Sequence, residues 1–98
     1  MLSRTAFDHL REMKFMPDST WPDSLVGRLQ GGVVLKAVGH PLYGVVLMGH
    51  YMGPRTLVEF EERISLDASR EQVAQAIVRI IGQIGDSDPE WRAKYMEQ

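Results

Sequence analysis

One stretch constrains the fold more than any other: Asp67 to Gly85, DASREQVAQAIVRIIGQIG. Val73, Ala74, Ile77, Ile80, Ile81 and Ile84 recur on one side of a 3.6-residue period, and Gln72, Gln75, Arg79 and Gln83 form a polar stripe opposite them. Asp67 and Ser69 are alternative N-caps, with Gln72 in capping-box register three residues after Ser69. Gly85 stands where a left-handed C-cap residue belongs. This predicts a long amphipathic helix. Its apolar arc, with Ala76 and Val78 added, is wider than a single sheet contact needs, so a sheet below and a helix or partner beside it are both expected. Val and Ile have middling helix propensity, so burial has to hold the helix together.

The rest of the chain reads as what this helix packs against. Residues 3–14 predict a first helix capped by Ser3 or Thr5, with Ala6, Phe7, Leu10 and Met13 as its apolar stripe. Residues 16–24, MPDSTWPDS, are turn chemistry around Trp21. Pro22 then starts a short second helix through Leu25, Val26 and Leu29, ended by Gly31 and Gly32. Three strands follow: Val33 to Val38, Val45 to Met52 and Arg55 to Leu66, joined by the GHPLYG loop (Gly39–Gly44) and a Gly53-Pro54 turn. Glu62 interrupts the apolar face of the third strand, which predicts a bulge or an end there. The glycines are expected at turns and element ends. Asp88 as N-cap and Pro89 at the first helical position start a last helix, on which Trp91 and Tyr95 share a face. The expected architecture is α+β, one domain over residues 1–98: a three-stranded antiparallel meander packed against the long helix of the C-terminal half, with a short N-terminal and a short C-terminal helix.

The middle strand is the informative oddity. Val45, Leu47 and Tyr51 point one way, and Val46, Met48 and Met52 point the other. An antiparallel sheet with one wet face should alternate apolar and polar, so both faces are expected to be covered, one by the long helix and the other by the N-terminal part or by another protein chain.

Composition removes several function classes. The chain has 98 residues, 44% of them hydrophobic, and no cysteine, so disulfide and thiolate chemistry are excluded. Net charge is −2 and the eleven Lys and Arg are scattered, so direct binding to duplex nucleic acid is not expected. No apolar run nears the ~18 residues of a membrane span. The N-terminus lacks a basic-then-apolar leader, and a cytoplasmic protein is expected.

Catalytic chemistry finds no motif. There is no GxGxxG, GxxxxGK[ST], HExxH or GxSxG, and Gly31-Gly32 precedes a strand rather than following one. His9, His40 and His50 have no partner histidine at helical spacing, so no metal site is expected. Glu59 and Glu61 share a strand face, a pattern better suited to a solvated outer face than to acid/base work. The serines sit where caps and turns want hydroxyls. The run from Gly32 to Phe60, short β segments with glycines and a VEFE ending, resembles small SH3-like barrels, although three strands are too few to close one.

The function expected from these readings is a non-catalytic, cofactor-free protein-binding module: an adaptor or inhibitor that occupies a partner's surface, or a homodimer formed through its sheet. Tyr43, Leu47, Tyr51, Glu59, Glu61 and Trp91 are the expected interface residues. The acidic groups Glu59, Glu61, Glu62, Asp67, Glu71, Asp86, Asp88 and Glu90 crowd the second half and, if they converge, would block a basic nucleic-acid-binding groove. The alternative is a small ligand-binding or enzyme subunit with its site around His40, Tyr43 and His50.

Overall fold

A computed structural model of the chain describes residues 5–18, 24–52 and 57–96. Helix α1 (Thr5–Glu12) is followed by strands β1 (Met16–Pro17), β2 (Ser24–Arg28), β3 (Val33–His40), β4 (Gly44–Met52) and β5 (Leu57–Ile64), then by helices α2 (Arg70–Ser87) and α3 (Pro89–Tyr95). The class is α+β, but the sheet has five strands in sequence order, all neighbours antiparallel, rather than three. Among the described residues the first and last strands do not pair, so the sheet is open and the SH3-like resemblance does not extend to a closed barrel. The Ser3 cap, Trp21 and the Gly53-Pro54 turn lie outside the described residues.

The two added strands explain the largest departure from the sequence reading. The segment expected to be a second short helix is β2, and only the turn Gln30–Gly32 after it is helical, as one 3₁₀ turn. In β2, Leu25 and Gly27 point to the core and Val26 and Arg28 away, a period of two that pairing with β3 imposes over local preference. Gly31 and Gly32 both have positive φ, and Leu29 donates its N–H to Val33 O at 2.9 Å, closing the β2–β3 hairpin.

Helix α2 carries the expected capping box: Ser69 Oγ accepts from Gln72 N at 3.1 Å, and Gln72 Oε1 accepts from Ser69 N at 2.9 Å. It does not stop at Gly85. The helix continues to Ser87, and Gly85 is buried under α3, where a Cβ would lie 2.7 Å from Met96 Sδ. The glycine is there for close approach of a second helix rather than for a left-handed cap. Asp88 closes α2 through its N–H to Ile84 O and opens α3, its Oδ1 accepting from Trp91 N at 3.1 Å.

All three helices pack on one face of the sheet. Val73, Ala76, Ile80 and Ile84 of α2, Phe7 and Leu10 of α1, and Phe15 meet Leu25, Val33, Leu35, Ala37, Val45, Leu47 and Ile64 in one core. Gly27, expected inside a short helix, lies instead inside β2, and Gly49 lies inside β4. Gly27, Leu35, Gly49 and Phe60 form one rung across β2–β5. A Cβ on Gly27 would sit 2.7 Å from the Phe15 ring, and one on Gly49 would sit 2.4 Å from Ile80 Cγ2. The glycines are sockets into which a ring and an isoleucine seat. Nor does β5 bulge at Glu62: its register with β4 is unbroken, and Glu62 lies at the sheet–helix boundary, paired with Arg79 at 3.3 Å.

Candidate functional site

Because side chains alternate along a strand, packing three helices on one face leaves the other face to the remaining positions. Three rungs cross it. The first is Arg28, Val34, His50 and Glu59; the second is Met16, Val26, Lys36, Met48 and Glu61; the third is Ser24, Val38, Val46 and Arg63. None of the described helices lies on these rungs. Val26, Val34, Val38, Val46 and Met48 are half-buried by their neighbours in the sheet, and Met16 is 66% exposed. Apart from Lys36 the centre of the face is apolar; Arg28, Glu59, Glu61 and Arg63 stand at its margins, and Ser24, at the β2 end of the third rung, is buried.

The charges are ordered by strand. Arg28 stands on β2 at one side, and Glu59, Glu61 and Arg63 stand on β5 at the other, two carboxylates and one guanidinium. His50 Nδ1 lies 3.4 Å from Glu59 Oε1, and Arg63 Nε donates to Glu61 Oε1 at 3.2 Å. Lys36, in the middle, reaches Asp18 at 3.4 Å and so turns its ammonium toward the β1 side. A depression of about 220 Å³ lined by Met48, His50, Glu59, Phe60 and Glu61 opens beside β5.

At one end of this face the β3–β4 turn forms a tip held by its own side chains. His40 Nδ1 accepts from the backbone N–H groups of Leu42 (3.0 Å) and Tyr43 (3.3 Å), and the imidazole stacks on Tyr43 with ring centroids 4.5 Å apart. The Arg63 guanidinium covers the Tyr43 ring, 4.0 Å from its centroid. Leu42, at the apex, is 81% exposed.

A second cluster lies on the helix side. Tyr51 donates its hydroxyl proton to Asp88 Oδ2 at 2.5 Å, and Trp91 Nε1 donates to Gly31 O at 3.3 Å. The Trp91 ring sits 5.9 Å from Tyr51 and 5.5 Å from Tyr95, both tilted. The hydrogen bond to the Asp88 carboxylate, followed by burial, pushes the Tyr51 phenol up to about 12, and that same hydroxyl holds Asp88 below the usual carboxylate range. This cluster clips α3 onto the body. Gly31 is part of the clip, because a Cβ there would lie 2.1 Å from Trp91 Nε1.

The expected interface residues divide between these places. Tyr43, Glu59 and Glu61 are exposed. Leu47 is fully buried, and Tyr51 and Trp91 are 6% and 7% exposed, so these three are core and clip rather than surface. The alternative ligand site is not assembled. His40 and Tyr43 touch, but His50 is six residues further along the hairpin, roughly 20 Å away. Nor do the acidic groups converge. Glu59 and Glu61 lie on the uncovered face, the one that no described helix covers, Glu62 lies on the helix side, and Asp86 pairs with Arg92 at 3.5 Å. Among the described residues no three His, Asp or Glu side chains gather as a metal site would need, and no helix is long and apolar enough to cross a membrane.

Val26, Arg28, Val34 and Val38 belong to the uncovered face and were not expected there. The second apolar side of β4, Val46 and Met48, was the available signal. That β2 contributes at all was hidden by its reading as a helix. In comparisons with known proteins, no family model, no curated protein and no solved structure matches this chain.

Proposed function

We propose that the chain is a small non-catalytic module that binds protein on the uncovered face of its sheet. One observation carries the reading: five apolar side chains, Val26, Val34, Val38, Val46 and Met48, occupy the centre of a face that none of the described helices covers. A face of this kind is stabilised by a second apolar surface laid against it, at about 25 cal/mol per Å² removed from water. Four strands ~4.8 Å apart and about seven residues long make a plane of roughly 450 Å² per side. Both sides together come to about 900 Å², below the ~1,200 Å² at which standard specific interfaces begin, so the association is weak, reversible and concentration-dependent rather than obligate. The charged margin supplies register and partner choice more than affinity. The reading uses the apolar centre rather than an acidic groove-blocking surface.

The test is a Val46→Lys/Met48→Lys double variant, immobilised beside the wild type once circular dichroism has shown both folded. The proteins that bind the wild type, this chain included, should be lost from the variant. Retention of the same set on both would overturn the reading.

A further inference from the structure

The charge layout of the uncovered face fits one occupant better than others: another copy of the same face. We propose that two copies pack sheet to sheet about a two-fold axis that runs along the strands, between β3 and β4. This rests on the docking reading above and names its partner.

A two-fold axis lying in the interface along the strand direction keeps each rung over the same rung of the partner and exchanges the β2 side for the β5 side. On the first rung, Arg28 then lies over the partner's Glu59, and His50 over the partner's Val34. On the second, Val26 lies over the partner's Glu61 stem and Lys36 over the partner's Met48, with the Lys36 ammonium already drawn aside to Asp18. On the third, Val38 meets the partner's Val46. Each contact occurs twice. Among the described residues Arg28 has no carboxylate of its own chain in ion-pair range, so its charge is available to the partner's Glu59. The pleat and twist of such sheets turn the stacked strands by about 30°, a displacement that a long Arg side chain spans.

The competing axis, across the strands, stacks β2 on β2 and β5 on β5. It would set Glu61 against the partner's Glu61 at the β5 margin and Arg28 over the partner's Ser24, leaving the guanidinium with no carboxylate opposite it. Pairing through the free β5 edge would leave the apolar centre uncovered. The plane available, roughly 450 Å² per copy or about 900 Å² in all, lies just under the ~1,000 Å² of a specific pair, so a weak dimer whose population depends on concentration follows.

Charge reversal tests both the partner and the axis. Arg28→Glu alone sets two carboxylates against each other at both symmetric contacts, and Glu59→Lys alone sets two cations against each other. Mixed together, the two variants form a heterodimer in which both contacts are complementary. Light scattering on a sizing column should give a wild-type mass that climbs from 11.1 kDa toward twice that with concentration. Each single variant should dissociate at least about tenfold more readily, and the equimolar mixture should return to within about threefold of the wild type. Both sites are exposed, and circular dichroism checks that each variant is folded.

A wild type that stays at 11.1 kDa overturns the second copy as occupant, and the docking reading then stands or falls on the Val46→Lys/Met48→Lys comparison. A dimer indifferent to both reversals overturns the face. Rescue of Glu59→Lys by Arg63→Glu, and not by Arg28→Glu, overturns the axis, because Arg63 faces the partner's Glu59 only when the axis crosses the strands.

Discussion

The two faces of this sheet are built from the same residue types on the same strands, yet they have opposite fates. On one, Val33, Leu35, Ala37, Val45 and Leu47 are at most 1% exposed beneath Phe7, Leu10, Val73 and Ile80. On the other, Val34, Val38, Val46 and Met48 remain half-buried with no described helix above them. Apolar character does not separate them. Shape does: the covered face has Gly27 and Gly49 where Phe15 and Ile80 descend, while the uncovered face has no glycine within its three rungs. A face made to receive helices carries sockets. A face made mostly of evenly sized Val and Met, with Arg28 at one side and Glu59 and Glu61 at the other, suits another flat surface.

The comparison can be broken most directly at two adjacent residues of β4. Leu47→Ala removes a fully buried side chain beneath α2 and should cost about 2–5 kcal/mol in chemical denaturation. Met48→Ala, one position along and on the other face, should cost under about 1 kcal/mol at concentrations where the chain is monomeric. Equal losses would show that the second face is also covered within the chain.

Gly49→Ala fills one of the two sockets of the covered face. Its new methyl would meet Ile80 Cγ2 at 2.4 Å and Leu35 Cδ2 at 3.3 Å, and neither a branched core side chain nor the strand can withdraw freely. A loss of about 1–3 kcal/mol is expected from overpacking. A neutral or stabilising effect would mean that α2 sits more loosely on the sheet than the contacts require.

The smallest effect concerns the clip. Tyr51→Phe removes the hydroxyl bonded to Asp88 and should cost on the order of 1 kcal/mol near neutral pH. Its pH dependence has a defined sign. The Tyr51 phenol titrates at about 12 when folded against an ordinary 10.0, so its stabilisation is full below pH 10 and is lost as the pH rises through about 12. Asp88 is shifted down from 3.8, so its stabilisation is present above that value and fades as the pH falls through the lower folded one. Thermal melts from pH 9 to 12 should therefore show an alkaline loss in the wild type that is reduced in Tyr51→Phe. Parallel curves would remove the hydrogen bond from the account.

Much of the covered half was legible in the residues themselves. Helix α2 announced itself by its period and capping box, α3 by Asp88-Pro89, and β3, β4 and β5 by their β-branched runs. What escaped was set by distant partners. Ser24–Arg28 is too short for its periodicity to be read, and Gly27 gains its meaning only when Phe15 lies on it. Gly85 looked like a helix end because nothing local reveals that Arg92 and Met96 press on it. The site was legible as a question rather than an answer. Both sides of β4 are apolar, and a period of two does not say which side faces in. Leu47 and Tyr51 therefore read equally as interface or core, and the structure makes them core; Trp91, on α3, is buried in the clip, while Tyr43, Glu59 and Glu61 lie at the surface.

The central claim is that the uncovered face is a surface for association and not a second core. The measurement that tests it most directly is solution mass as a function of concentration, for the wild type and for Val46→Lys/Met48→Lys in parallel. The account predicts a wild-type mass that rises above 11.1 kDa and a folded variant that holds at 11.1 kDa throughout. A variant that associates as the wild type does, or that cannot fold with lysines on that face, would contradict it.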